Sequence, residues 1–251
     1  MVSTQQQTNQ AREAVKPGGQ IVAEHAVEQD WERYLFGSTV VRILPARQVW
    51  RITPHGQTLG DGMSAARHAL MGKRAIEIGV GAGVHAIAAL KLGVRVLDGT
   101  DIEPAALRAT ASNAEFNDVQ LRNLWSHDWL DFEPTEPYDL MLCNPPFCRA
   151  GTADRRSFID RLIEQSPRFL RPGGHLLFVQ SSMADFAKSE QALEAAGYYA
   201  SVIHQTRQLF RDYYFEEPGF IEQSREVAGG FEEIDGCLIE TLRVYLGTKR
   251  A

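Results

Sequence analysis

The sequence predicts a doubly wound α/β fold built on a mostly parallel sheet of seven strands. From residue 73 onward, short apolar runs typical of buried strands alternate with segments of helical periodicity, the pattern of a parallel sheet. A glycine-rich turn lies between the first of these strands and its helix. The chain has 251 residues, 44% of them hydrophobic, which is enough for one such domain with an N-terminal extension.

Each element is predicted from its apolar pattern and from the residues that interrupt it. Apolar runs predict strands at 74–79, 94–100, 119–125, 138–143 and 175–180, and two final strands near 199–207 and 237–247. Helices are expected from the glycine-rich turn to residue 92, over 104–116, and around 156–170 and 184–196. The sequence Arg171-Pro-Gly-Gly174 marks a helix end and a turn. Together these segments define a catalytic domain at 73–251.

The N-terminal extension is predicted to be a helical cap that follows a mobile tail. Residues 1–22 are rich in glutamine and end near Pro-Gly-Gly, which is typical of a tail. The cap covers 23–72 and begins with a helix over 24–36, whose apolar side carries Trp31, Tyr34, Leu35 and Phe36. Extended stretches are expected at 39–45 and 48–54, and a further helix around 61–72.

Charge and cysteine content exclude several classes of protein. Twenty-six basic residues against 32 acidic ones give a net charge of −6, which argues against a large phosphate-binding surface. Three cysteines without a CxxC pair (Cys143, Cys148 and Cys237) argue against a disulfide framework or structural zinc, and the scattered histidines predict no metal site. No apolar run would cross a bilayer and the N-terminus is polar, so a cytoplasmic protein is expected.

The glycine-rich turn, Glu77 to Gly83, is the first candidate ligand site. Gly79, Gly81 and Gly83 allow a tight turn and a close approach of backbone to ligand beside a helix N-terminus. A dinucleotide fingerprint starting at Gly79 requires glycine or alanine at position 84, which is Val84. The turn alone leaves a nicotinamide or flavin site, or a plain strand–turn–helix, as alternatives.

An acidic residue at the end of the second strand is the expected partner of this turn. Asp101 lies 22 residues after Gly79, where a carboxylate can accept hydrogen bonds from both ribose hydroxyls of a nucleoside. Asp98 falls in mid-strand and is less well placed. Asp101 also precedes the helix that Pro104 opens, so the alternative is a simple helix N-terminal charge.

The tetrapeptide Asn144-Pro145-Pro146-Phe147 directly follows a buried strand. Prolines stiffen this loop and free carbonyl groups from strand pairing. The Asn144 amide oxygen and the Pro145 carbonyl can both accept from one N–H group, which would direct the nitrogen lone pair toward an electrophile. Phe147 can stack on a planar target. A turn that carries two prolines by chance is the alternative.

In this order, the three features resemble class I (Rossmann-like) S-adenosylmethionine-dependent methyltransferases, specifically N-methyltransferases with an NPP[F/Y] motif. The resemblance covers about residues 70–185 and implies methyl transfer to a nitrogen, as in enzymes that modify adenine, guanine or glutamine-amide nitrogens. It implies a catalytic role for Asn144, Pro145 and Phe147. It implies S-adenosylmethionine as cofactor, and the residues it assigns to binding that cofactor are Glu77, Gly79, Gly81, Gly83, Asp101, Ile102, Asp128, Trp129 and Asn144. In that assignment Asp128 binds the adenine amino group and Trp129 covers the ring; ordinary core packing is the alternative for Trp129.

The acceptor is less well defined than the cofactor. An insert at 209–236 carries eight acidic residues against two arginines, together with several aromatic rings. Such a lid favours an amine or cationic small molecule, which is the expected substrate. The candidate substrate-binding residues are Tyr34, Phe147, Tyr213 and Tyr214. Three alternatives stay open: an RNA or protein-glutamine acceptor, cyclisation of the cofactor's own aminocarboxypropyl group, and a purely solvated insert.

Overall fold

The computed structural model describes residues 31–46, 49, 51–146 and 156–251. The predicted tail, the first part of the helix expected at 24–36, and Phe147 and Cys148 lie outside these described residues.

The described residues form ten strands and eight α-helices. They are β1 Glu32–Phe36, β2 Thr39–Ile43, α1 Pro54–Ala65, α2 Arg67–Leu70, β3 Arg74–Ile78, α3 Val84–Lys91, β4 Val96–Asp101, α4 Pro104–Phe116, β5 Asn123–Ser126, β6 Tyr138–Cys143, α5 Ser157–Gln165, β7 Leu170–Ser181, α6 Phe186–Ala195, β8 Tyr198–Leu209, α7 Asp212–Glu216, α8 Phe220–Arg225, β9 Glu232–Ile234 and β10 Cys237–Lys249.

The main sheet confirms the predicted doubly wound fold. Its strands follow the order β5-β4-β3-β6-β7-β10-β8, and the short β9 pairs with β10 beside this path. Neighbours from β5 to β7 are parallel, whereas β10 runs antiparallel to both β7 and β8. The predicted strands and helices of the catalytic domain are therefore present, with their ends shifted by a few residues.

Helices cover both faces of the sheet, which explains why its central strands are apolar without alternation. Leu140 and Leu142 of β6 belong to the core that α1 and α3 close, whereas Met141 and Cys143 face the core beneath α5 and α6. Within the described ranges, no helix combines the length and the apolar character that a bilayer-spanning segment needs.

The N-terminal extension forms a β-hairpin over residues 32–43, in which β2 lies within the extended stretch predicted at 39–45, whereas β1 replaces the end of the helix predicted at 24–36. Tyr34 and Phe36 point inward and Leu35 points outward, so the side chains alternate with the period of a strand. Gly37 adopts a φ of 58° at the turn, and Leu35 pairs with Val40 across the hairpin. The spacing of Trp31, Tyr34, Leu35 and Phe36 fits a helix. The last three residues instead pair with residues 39–41 of β2.

The region after the hairpin also differs from the prediction. The stretch expected to be extended at 48–54 contains no strand among its described residues, and α1 begins at Pro54. Proline suits the first helical position because its fixed φ is already helical and its missing N–H is not needed there. The helix expected at 61–72 therefore starts earlier and ends at Leu70, divided into α1 and α2.

Two buried asparagines, Asn113 of α4 and Asn117 directly after it, bind the end of β2, and Asn113 also binds the glycine-rich turn. Asn113 accepts a hydrogen bond from the Leu44 amide at 2.8 Å and donates one to the Ala82 carbonyl at 2.9 Å. Asn117 accepts from the Arg42 amide at 3.0 Å. Because buried backbone groups need partners, these side chains hold the hairpin and the turn in a fixed relation.

We expect Asn113→Ala to lower the free energy of unfolding by about 2–6 kcal/mol, because two backbone groups lose their partner at about 1–3 kcal/mol each. Denaturant unfolding measures this loss, and the exposed neighbour Ser112→Ala serves as the control. An Asn113 variant as stable as the Ser112 variant would contradict the attachment.

Candidate active site

The site lies at the sheet edge where the parallel strands end. The glycine-rich turn leaves β3, Asp101 closes β4 and Asn144 follows β6, so all three features share this edge. Ligands of open α/β sheets bind in the crevice outside the carboxyl ends of the strands. The topology therefore brings together the three features that the sequence separates by up to 67 residues.

The turn adopts a conformation that requires glycine. Gly79, Gly81 and Gly83 have φ values of 70°, 56° and 83°, in the left-handed region that other residues rarely adopt. A Cβ at Gly79 or Gly81 would meet nothing within 4 Å, whereas one at Gly83 would lie 3.0 Å from the Thr110 side chain. The first two glycines therefore border open space, and the third permits α3 to approach α4.

Asp101 closes this turn. One carboxylate oxygen accepts from the Gly81 amide at 2.9 Å, and the other accepts from the Glu103 amide at the same distance. A carboxylate offers about four acceptor positions, so Asp101 retains capacity for ligand hydroxyls. Asp98, in contrast, is fully buried and receives hydrogen bonds from Arg122, Asn123 and Tyr138.

Glu77 is a buried carboxylate at the end of β3. Its Oε1 lies 3.5 Å from His85 Nδ1, whereas its Oε2 has no hydrogen-bond partner among the described residues. Burial raises the pKa of Glu77, and His85 opposes this shift. His85 Nε2 lies 2.8 Å from the carbonyl oxygen of Gly56 in α1, so the imidazole joins the sheet to that helix.

Asn144 presents a second buried oxygen without a partner. Its Oδ1 has no hydrogen-bond partner among the described residues, and Pro145 beside it is buried. Glu77 pairs with Leu142 across β3 and β6, so Asn144, two residues further, belongs to the same face as Glu77. A Cβ on Gly56 would lie 3.4 Å from Asn144 Nδ2, so the first turn of α1 borders this amide.

Tyr34 lies on β1, on the glycine-turn side of the molecule. Its hydroxyl donates to Glu32, which also pairs with Arg51 at 3.2 Å. With Ala82 and Val84 it lines a shallow pocket. Tyr34 is therefore placed beside the turn, although the element that carries it is a strand.

The insert between β8 and β10 folds around its own aromatic core. Phe210, Tyr214 and Phe220 are buried together with Met183, and the Tyr214 ring stacks on Phe220 with centroids 4.5 Å apart. Tyr213 is 40% exposed. Of the two tyrosines of the insert that were predicted to bind substrate, Tyr214 is thus part of the core and Tyr213 lies at the surface.

A buried polar cluster beneath the insert is absent from the sequence prediction. Glu240 of β10 accepts from the Ser181 hydroxyl at 2.5 Å and from the Tyr214 hydroxyl at 3.3 Å. His55 Nε2 lies 3.9 Å from Glu240, and His55 Nδ1 accepts a hydrogen bond from Arg211. Burial raises the pKa of Glu240 to about 7 and lowers that of His55 to about 3.

One signal in the sequence could have revealed this cluster. The side-chain period of a strand places Glu240 on the same face as the buried Leu242 and Val244. A carboxylate on an otherwise apolar strand face is unusual, because buried charges need partners.

Comparison with known proteins was made by sequence and by structure. A sequence model of the methyltransferase small domain family matches residues 62–210, more than half of the chain. The chain belongs to this family. The match confirms the expected S-adenosylmethionine-dependent methyltransferase, with that cofactor, on a class I fold.

Curated relatives are similar in sequence to parts of this methyltransferase. A protein of Methanocaldococcus jannaschii provisionally assigned as a protein N5-glutamine methyltransferase is 28% identical over 155 residues, which cover 56% of this chain and 78% of that one. Ribosomal protein L11 methyltransferases of Campylobacter concisus and Chromohalobacter salexigens are 30% and 54% identical over 133 and 106 residues. The matches cover 53% and 41% of this chain, but only 46% and 31% of those relatives.

Solved structures share the fold of the methyltransferase. A ribosomal protein L11 methylase of Lactobacillus delbrueckii subsp. bulgaricus superposes with a TM-score of 0.52 at 21% identity, covering 79% of this chain and 80% of that one. A 16S rRNA guanine-N2 methyltransferase of T. thermophilus, in complex with S-adenosylmethionine and guanosine, has a TM-score of 0.52 at 16% identity. That match covers 88% of this chain and 51% of that one.

The residues at the edge fit the nucleoside and amino-acid parts of the cofactor. Open space borders Gly79 and Gly81, Asp101 has acceptor capacity for ribose hydroxyls, and Glu77 holds an unpartnered acceptor oxygen. No group of three metal-ligating side chains occurs in the part of the chain that the structure describes.

The adenine end of the methyltransferase site has a different geometry from the one expected. Trp129 is buried against Phe158 and Phe169, with centroids 5.9 and 6.1 Å away, and so belongs to the core. Asp128 is exposed and accepts from the Leu130 amide at 3.0 Å. Ile102 is 53% exposed beside Asp101, which makes it the better apolar surface for a purine ring. The adenine contacts stay predictions.

We expect Asp101→Ala to weaken binding of S-adenosylhomocysteine by about 1.5–3 kcal/mol, the range for hydrogen bonds to a charged group. Titration calorimetry measures the affinity, and Asp101→Asn serves as the matched variant that keeps one acceptor oxygen. Unchanged affinity in the alanine variant would remove Asp101 from the site.

Glu240 gives the methyltransferase a specific pH dependence of stability. Because burial raises the folded-state pKa from 4.5 to about 7, the folded protein retains a proton that the unfolded chain releases between these values. The free energy of unfolding therefore falls as the pH rises through this window. Glu240→Gln should remove the fall and add on the order of 3 kcal/mol at pH 8.

Denaturant unfolding at pH 5 and pH 8 checks this expectation, with the exposed Glu194→Gln as control. If the free energy of unfolding of the Glu240→Gln variant fell with pH as it does in the unaltered protein, ionisation of the buried Glu240 would not be the cause of that fall.

Proposed function

We propose that this methyltransferase transfers a methyl group to the side-chain amide nitrogen of a glutamine in a protein. The observation that carries the proposal is the buried, unpartnered Oδ1 of Asn144, directly after β6 and beside the buried Pro145. A buried acceptor without a partner costs about 1–3 kcal/mol, and a substrate N–H group would supply the missing hydrogen bond.

The chain's own residues act on the acceptor nitrogen by positioning it. S-adenosylmethionine supplies an electrophilic methyl group on a sulfonium sulfur. Asn144 Oδ1 and the Pro145 carbonyl each accept one N–H of the amide, which turns the nitrogen toward that methyl group. A carbon–nitrogen bond forms as the carbon–sulfur bond breaks, and the nitrogen then releases one proton to solvent.

The charge of the site favours a polypeptide over RNA. The chain carries a net charge of −6, and the insert at 209–236 holds eight acidic residues against two arginines. Nucleic-acid phosphates would be repelled by this edge, whereas a neutral glutamine in a basic polypeptide would not. A primary amide also brings two N–H donors, one for each acceptor.

The relatives favour the same class of acceptor. The relative matched over 78% of its length carries a protein N5-glutamine assignment, and the L11 methyltransferases also have a protein substrate by name. A small molecule, the acceptor expected from the sequence, has no counterpart among these relatives. We therefore replace that expectation by a protein amide.

We expect Asn144→Ala to lower turnover roughly 10²–10³-fold, by analogy with the loss of one preorganised hydrogen-bond partner. Affinity for S-adenosylhomocysteine should stay within a few-fold, because the cofactor is held at the glycine-rich turn. A structural role would instead lower the melting temperature and leave turnover per folded molecule unchanged.

The acceptor itself is tested with a methyl-labelled cofactor and two separate fractions, ribosomal proteins and ribosomal RNA. Proteolysis and peptide fragmentation should locate the label on glutamine, and Asn144→Ala should abolish it. Label in the RNA fraction alone would replace this proposal by RNA methylation. A cofactor product without methyl transfer would indicate cyclisation of its aminocarboxypropyl group.

A further inference from the structure

His85 occupies an unusual position between two acceptors. It lies in the first turn of α3, is 6% exposed, and contacts the Gly56 carbonyl with Nε2 at 2.8 Å. A carbonyl oxygen only accepts hydrogen bonds, so Nε2 carries a proton. The other ring nitrogen, Nδ1, faces Glu77 Oε1 at 3.5 Å.

This arrangement fixes the number of protons on the pair. A neutral imidazole with its proton on Nε2 would direct the Nδ1 lone pair at a carboxylate oxygen, and two lone pairs facing each other in a buried site repel. One further proton must therefore lie between His85 and Glu77, on either partner. The pair is then neutral overall, and Oε1 of Glu77 is committed to His85.

The remaining oxygen of Glu77, Oε2, needs a hydrogen-bond donor. Oε2 is buried without a hydrogen-bond partner among the described residues. Glu77 lies two residues before Gly79, and the turn at Gly79 and Gly81 borders open space. A cationic N–H donor would satisfy this oxygen and at the same time favour the charged form of the carboxylate.

We propose that His85 is a positioning residue for cofactor binding: it holds Glu77 so that Oε2 accepts from the α-ammonium group of the cofactor's methionine part. The inference rests on the cofactor placement at the glycine-rich turn. A carboxylate held at one oxygen by an imidazole presents the other in a single orientation. His85 also ties this carboxylate to Gly56, which borders Asn144, so one side chain joins the cofactor and acceptor ends of the site.

The test compares two ligands that differ only in the amino group. They are S-adenosylhomocysteine and its deaminated analogue, in which hydrogen replaces the α-amino group. We expect His85→Phe to weaken binding of S-adenosylhomocysteine roughly tenfold or more, the scale of a hydrogen bond to a charged group. Its affinity for the deaminated analogue should stay within about twofold of the unaltered protein.

Two further variants make the result specific. Glu77→Gln should remove the preference for the amino-bearing ligand, and His85→Gln should retain part of it, because an amide can still donate to one partner. His204→Phe, on the edge strand β8, should bind both ligands as the unaltered protein does. Melting temperatures establish that each variant is folded.

The outcomes separate the inference from the placement on which it rests. If His85→Phe weakens both ligands equally, or neither, the positioning role is wrong. If Glu77→Gln removes the preference while His85→Phe and His85→Gln retain it fully, Glu77 binds the amino group without help from His85. If Glu77→Gln also retains the full preference, the cofactor placement at Glu77 fails.

Discussion

The hydrogen bond from the Gly81 amide to Asp101 is the contact on which the site depends. It joins the end of β4 to the turn that follows β3. Thr110 and Asn113 of α4 also hold this turn, because they donate hydrogen bonds to its carbonyl groups. Three glycines in left-handed conformations cost backbone entropy, and this cost is offset only if the folded turn is held in place. The same carboxylate that is expected to bind a ribose thus also maintains the surface on which the nucleoside would lie.

Two buried polar groups of this edge differ from Asp98 in having an oxygen without a partner among the described residues. Asp98 is as deeply buried as Glu77, yet three donors satisfy it, and it serves the fold. Glu77 and Asn144 each leave one oxygen without a donor on the same face of the sheet. Since every such oxygen costs folding free energy, their presence on one face is consistent with the proposed N–H donors, one from the cofactor and one from the acceptor.

The sequence predicted those parts of the molecule in which local pattern and tertiary environment agree. The strand over 138–143 and the helix over 104–116 have the expected ends, because the strand is apolar except for Asp139 and Pro104 opens the helix. The first strand of the hairpin, β1, was mistaken for the end of a helix, because its apolar spacing fits both periods over so few residues, whereas β2 lies in the stretch expected to be extended. Pairing of β1 with this next segment decided between helix and strand.

The site was also predictable only where its residues give a local signal in the sequence. Glycine spacing, Asp101 and the Asn-Pro-Pro segment are local signals, and the fold placed them at one edge. The cluster around Glu240 was missed because its members, His55, Ser181, Arg211 and Tyr214, come from distant segments that only the folded sheet brings together. Trp129 packs in the core, the alternative that its sequence position left open, and its contact with adenine stays a prediction.

The insert has a core of its own, in which Phe210, Tyr214 and Phe220 are buried together. Tyr213 and Phe215 lie at its outer surface, 40% and 59% exposed, yet their rings contact Tyr214 and Phe210 of that core, with centroids 4.7 and 6.2 Å apart. A substitution at either position would therefore change the outer surface and the packing of the aromatic core together. The strand ends that carry the glycine-rich turn and Asn144 are built from other residues, so the surface of the insert is tied to the stability of the insert and not to the geometry of that sheet edge.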